Sequence, residues 1–125
     1  MRADASSPLV ASGVIATYNR APFVARARET LLALPGVSEA CEVLVVDNNS
    51  SDDTRAVVEA FAEQHPCVRY ILETRQGVSH ARNRGVAEAQ ATFVAFLDDD
   101  AYVQPTWFEA LQSVLRDQPE ARVIG

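Results

Sequence analysis

With 125 residues, 48% of them hydrophobic and 22% charged, the chain has the composition of a single globular domain with enough apolar material for a core. A formal charge of −6 speaks against nucleic acid as a partner, because a phosphate backbone demands a basic footprint, and no apolar run approaches the roughly 20 residues that cross a bilayer. All 11 basic residues are Arg, so any mechanism that needs a Lys is excluded, and Cys41 and Cys67 lack metal-ligand spacing and read as reduced, semi-buried thiols.

Residues 1–8 are polar, lack the apolar core of a signal peptide and read as a disordered lead-in to one domain over 9–125. Leu9–Ala16 predicts a first strand, closed by the loop Thr17-Tyr18-Asn19-Arg20. Pro22 suits the first turn of a helix, and Val24, Ala27, Leu31 and Leu34 recur at helical spacing up to Pro35-Gly36. Glu42–Val46 predicts a second strand ending at Asp47, and the polar turn that follows leads into a helix from about Asp53 to Gln64. Val57, Val58, Ala60 and Phe61 are its expected inner face, and Pro66 stops it. Val68–Leu72 is a third strand. Ser79 is the expected cap of a helix to about Ala89, with Ala81, Val86 and Ala89 inward. Thr92–Leu97 is a fourth, buried strand that runs into Asp98, Asp99 and Asp100. A helix from Pro105 or Thr106 to about Asp117, with Trp107 on its apolar face, precedes a last apolar run from Arg122. Strands alternating with helices predict an α/β fold: a parallel sheet with helices on both faces.

In such a sheet ligands bind beyond the carboxyl ends of the strands. Four polar groups fall there: Thr17, Tyr18 and Arg20; Asp47 and Asn48; Arg75 and Gly77; Asp98 to Asp100. Three adjacent carboxylates repel one another, and Asp is a poor strand former, so the triplet is either a divalent-cation anchor or a solvated acidic turn. Asp47 either accepts a hydrogen bond from a base or ribose or caps the next helix. Of Arg82 and Arg84, one is expected to meet phosphate at the positive end of a helix and the other to be solvated. Tyr18 either stacks on a base or covers the sheet edge, and His80 reads as an ordinary surface or half-buried histidine.

The segments Thr17-Tyr18-Asn19-Arg20, Val46–Thr54, Gly77–Gly85 and Phe96–Asp100 together closely resemble, in order and spacing, the motifs of family 2 glycosyltransferases. The resemblance covers Leu9 to about Leu115 and implies a Rossmann-like GT-A sheet, mostly parallel and truncated here after about the fifth strand. It implies a nucleotide-diphosphate-sugar site for a UDP-, GDP- or dTDP-linked donor. Thr17, Tyr18 and Asp47 would hold the base, with Arg20 beside them. Arg82 would lie near the diphosphate, Asp98 and Asp99 near the ribose and sugar, and Asp100, with Asp98, would bind Mn²⁺ or Mg²⁺. The general base of an inverting transfer to an acceptor hydroxyl is expected beyond Gly125. The resemblance therefore carries donor binding further than turnover, and a catalytically silent nucleotide-binding or interaction module is the alternative. A receiver domain is disfavoured by the missing Lys, and a dinucleotide-binding domain by a first turn without G-x-G-x-x-G. A cytoplasmic location is expected, membrane-associated in any longer parent protein, with self-association through the open sheet edge.

Overall fold

A computed structural model of the chain describes residues 11–33, 40–91, 93–98, 113 and 123–124. Five strands, β1 (Ala11–Thr17), β2 (Cys41–Asp47), β3 (Val68–Leu72), β4 (Val94–Asp98) and β5 (Val123–Ile124), form one sheet in the order β3-β2-β1-β4-β5. Every ladder is parallel. Among the described residues, three helices, α1 (Ala21–Leu32), α2 (Thr54–Gln64) and α3 (Val78–Glu88), lie between the first four strands. None of the described helices is long and apolar enough to cross a membrane.

The strand residues divide by parity. Val43 and Val45 of β2 join Ile15, Val24 and Val58 in one core cluster, whereas Leu44 and Val46 join Val14, Ile71 and Ala81 in the other. Successive side chains of a strand point to opposite faces, so α1 and α2 cover one face and α3 the other. Crossover handedness accounts for this. The steps β1→β2→β3 move outward in one direction, whereas β3→β4 moves back across the sheet, and a right-handed crossover then lies on the opposite face. Burial of β2 on both faces is why its C-E-V-L-V-V-D run shows no polar alternation.

α3 packs on β1 and β2. Its contact with β1 depends on Gly85, where a Cβ would stand 2.5 Å from Cγ1 of Val14. Val86, expected inward, is 43% exposed instead, because the buried stripe of α3 is Ala81 and Gly85. Gly77, at φ 131°, is the N-cap of α3, and Ser79, the expected cap, lies within the first turn. In α2, Val58 is buried and Val57 and Phe61 are half-buried, but Ala60 is exposed. Cys41 and Cys67 are free thiols, and burial pushes the Cys41 pKa up to about 11. Thr92, Trp107 and the helix expected over 105–117, Ser113 apart, lie outside the described residues; the last apolar run supplies β5.

Buried charge sits at the amino end of the sheet. Glu42 accepts from Ser12 Oγ (2.6 Å) and the Gln90 N–H (2.6 Å) and pairs with Arg69 (3.3 Å), while the Ala91 N–H donates to Ser12 Oγ (3.1 Å). This knot fixes the connection from α3 into β4 and so the height at which β4 ends.

Candidate functional site

The strand order reverses between β1 and β4: from β1 the chain builds first toward β3, then returns to place β4 on the other side. Such a reversal between neighbouring strands marks the carboxyl-end crevice that is the usual ligand position in sheets of this kind. A cleft of about 590 Å³ lies there, within the range of small-molecule sites. Its apolar surface includes Val14, Ala16, Ala81 and Leu97. Thr17, Tyr18 and Arg20 line it after β1, Asn48 after β2, Gln76 and Gly77 after β3, and Val78 and Arg82 from α3. The described lining holds two arginines and no carboxylate, in a chain of net charge −6.

The arginines near the cleft differ in what surrounds them. Arg75 donates through Nε to Glu73 Oε2 (3.1 Å), and Arg84 pairs with Glu88 (3.1 Å) and approaches Glu73 (3.7 Å). The Arg75 guanidinium, then the Arg75 N–H, hold the Glu73 carboxyl down to about 2. Arg82 has no ion pair or hydrogen bond among the described residues; its guanidinium stands 5.7 Å from the Phe96 ring centroid. Among the described residues, Arg82 therefore brings a fork of donors without a carboxylate partner to the cleft, and Arg84 is the one committed to structure. Arg20 lies 4.7 Å from the Phe23 ring centroid at the cleft mouth.

Three loops are tied together behind this lining. The Asn48 N–H donates to the Thr17 carbonyl (2.8 Å). Its side-chain Nδ2 donates to the carbonyls of Glu73 (3.0 Å) and Arg75 (2.7 Å), and its Oδ1 accepts from the Gly77 N–H (2.8 Å). Gln76 Nε2 donates to the Asn48 carbonyl (2.6 Å). Two carbonyls and one N–H around a single amide leave only one orientation for that amide. Asp52, not Asp53, serves the start of α2: its Oδ1 accepts from the Thr54 N–H (3.0 Å) and hydroxyl (2.5 Å), which lowers its pKa.

Of the residues singled out in the sequence, Thr17, Tyr18, Arg20 and Arg82 line the cleft. Thr17 is buried, and Tyr18 is 49% exposed. Asp47 is 1% exposed and does not line it: Oδ1 accepts from the Ser50 N–H (2.9 Å) and Oδ2 from Tyr70 Oη (2.6 Å). Neither bond caps α2. Burial, then the bond to Asp47, raises the Tyr70 pKa. Asp98 ends β4 opposite Ala16, which brings its backbone to the cleft's edge; Asp99 and Asp100 lie outside the described residues. His80 is exposed and not among the lining residues. Asn48 and Gly77, which the sequence places at this rim, also line the cleft, whereas sequence reasoning did not select Gln76, Val78 or Glu73; the one local signal for these is a glycine immediately before a helix.

The family model described as Glycosyl transferase family 2 matches residues 12–125. Succinoglycan biosynthesis protein ExoO of Rhizobium meliloti (strain 1021) is 43% identical over 93 residues, which are 74% of this chain and 26% of that protein. A mannosyltransferase from Pyrobaculum calidifontis, solved in complex with GDP-Man and Mn²⁺, superposes with a TM-score of 0.72 at 30% identity, covering 83% of this chain and 31% of that one. Staphylococcus aureus TarS 1-349 in complex with UDP-GlcNAc superposes with a TM-score of 0.75 at 22% identity, covering 87% and 32% respectively. The chain thus spans about a third or less of the proteins it matches.

Proposed function

The chain belongs to glycosyl transferase family 2, and on that premise we propose that its cleft is the nucleotide-binding part of the donor site of a metal-dependent, inverting glycosyltransferase. The observation that carries this is Arg82, a guanidinium with no anionic partner among the described residues, lining a cleft at the switch point of the sheet. Arg82 would bind the diphosphate bidentately. Tyr18 and Thr17 would meet the base, and Asp47 would serve the same wall from behind, through its bond to the Ser50 N–H.

Asp98 and Asp100 would hold Mn²⁺ or Mg²⁺. Consecutive carboxylates are a hard-oxygen donor set that suits either ion, and β4 ends beside Ala16 of the cleft wall. When bound, the ion supplies charge that offsets the departing diphosphate. In the transfer itself, the acceptor oxygen forms a bond to the anomeric carbon as the bond from that carbon to the β-phosphate oxygen breaks. The electron pair leaves with the nucleoside diphosphate, where Arg82 stabilises it, and the acceptor proton passes to a base outside the residues assigned here. UDP and GDP are the leading donor nucleotides, being those of the TarS and mannosyltransferase complexes, and dTDP is the third to be compared.

Calorimetric titration of UDP, GDP and dTDP, each with and without Mn²⁺, tests this on the wild type and on Asp100→Ala. Metal-dependent binding that Asp100→Ala abolishes is the expected result. A folded protein that binds none of the three is not a working donor site, and a silent interaction module would then be the better reading.

A further inference from the structure

We propose that Asn19 is a positioning residue: its side chain clamps the loop after β1 onto the loop after β2, and the clamp holds Tyr18 and Arg20 at the cleft. The proposal rests on the donor-site reading for its ligand, but the clamp itself does not depend on that reading. Tyr18 and Arg20 both line the cleft, whereas Asn19, between them, does not. Its side chain is directed to the neighbouring loop instead. Oδ1 accepts from the Ser51 N–H (2.7 Å), the Asp52 N–H (3.1 Å) and Ser51 Oγ (3.4 Å), and the Asn19 N–H donates to Ser50 Oγ (2.8 Å).

One amide oxygen serving two successive backbone N–H groups makes a compact cross-link between segments 31 to 33 positions apart. The far side of the cross-link is itself anchored. The Ser50 N–H donates to Asp47 Oδ1, and Asp47 Oδ2 is held by Tyr70 Oη. Position therefore passes from the sheet, through Asp47 and the 50–52 loop, to the cleft's lip. The backbone of Asn19 is part of the device. At φ 53° it is in the left-handed region, which Asn and Asp tolerate better than other non-glycine residues. That conformation turns the chain so that the side chains on either side of Asn19 reach the cleft.

Three variants separate the two contributions. Asn19→Gly keeps the backbone conformation and removes the acceptor. Asn19→Ala removes the acceptor and strains the backbone. Asn19→Asp keeps both the acceptor and the left-handed preference. Amide hydrogen exchange in the free protein is the first readout. Ser51 and Asp52 should be protected in the wild type and in Asn19→Asp, and should exchange about tenfold faster in Asn19→Gly and Asn19→Ala, together with the amides of 17–20. The second readout is UDP or GDP binding with Mn²⁺. Asn19→Gly should bind about tenfold more weakly, and Asn19→Asp should recover to within about threefold of wild type. Unchanged exchange at 17–20 in Asn19→Gly overturns the proposal, as does nucleotide binding in Asn19→Gly equal to that of wild type. If the wild type binds no nucleotide, the donor-site reading fails, and the exchange data alone decide the clamp.

Discussion

Arg82 and Arg84 sit two positions apart on α3 and have opposite surroundings. Arg84 is held by Glu88 and Glu73; Arg82 faces the cleft and, among the described residues, has only an aromatic ring near its guanidinium. Arg82→Ala should therefore weaken nucleoside diphosphate binding by about 2 kcal/mol, roughly thirtyfold, without lowering the melting temperature. Arg82→Lys should restore only part of this, because a point charge does not reproduce the bidentate fork. Calorimetry beside a thermal melt checks both. Glu73 gives a prediction in pH. Its pKa is depressed from 4.5 to about 2, chiefly by Arg75, so the folded state binds the proton less readily than the unfolded chain. Its contribution to stability is full above about 4.5 and is lost as the pH falls through about 2. Glu73→Gln should flatten the stability profile across that window; an acid-denaturation curve identical to wild type would contradict the role assigned to Arg75 and Glu73. Residue types and spacing made neither distinction legible, although the family resemblance implied a diphosphate role for Arg82 and not for Arg84. Two arginines at a helix start look alike until the carboxylates opposite them are known, and those are Glu73, just after β3, and Glu88 at the far end of α3. The same holds for Asp47, whose partners Ser50 and Tyr70 are fixed by folding of the turn and pairing of β2 with β3.

Strands were easier to read than helix faces, for a physical reason. β3 was predicted with its observed bounds, and β2 to within one residue at each end, because apolar β-branched runs cut off by Asp, Pro or Gly have few alternatives. α3 was placed correctly, with Ala81 inward and Ala89 packed against the core as expected, but Val86 was taken as inward and Gly85 was not. Its buried stripe is Ala81 and Gly85, and hydrophobic periodicity gives no weight to a glycine that faces a strand. That contact is testable. Gly85→Ala adds a methyl 2.5 Å from Val14 Cγ1. Overpacking by one carbon costs about 1–3 kcal/mol, and the gain in helix propensity offsets about 1 kcal/mol of it. A net loss of about 1 kcal/mol is expected by denaturant unfolding. Combining it with Val14→Ala should recover part of that loss; strict additivity of the two would contradict a steric cause. At the opposite end of the sheet, Glu42→Ala should cost about 2 kcal/mol, less than a fully buried pair because Arg69 is 33% exposed. It leaves a side-chain hydroxyl, Ser12 Oγ, and a backbone donor, the Gln90 N–H, without their shared acceptor. Nucleotide affinity should be unchanged, since Glu42 lies at the amino end of β2 and the cleft at the carboxyl end.

Over the whole molecule, topology turns scattered motifs into one site. The order β3-β2-β1-β4-β5 places the ends of β1 and β4 side by side and sets α3 on the face opposite α1 and α2. Loops that are far apart in sequence therefore meet, and the chain's negative charge is interrupted there by Arg20 and Arg82. Alternating β and α patterns made this architecture legible from sequence, and the four motifs indicated the family. What the sequence left open is which polar side chains face the cleft and which brace it, because bracing uses the same residue types as binding. The most direct test is amide chemical-shift mapping of the protein while UDP or GDP is added with Mg²⁺. Saturable shifts concentrated at Tyr18, Asn48, Gly77 and Arg82 are expected, with the amides near Glu42 and His65 unmoved. Saturable shifts centred elsewhere on the protein, with those four unaffected, would contradict the donor-site reading.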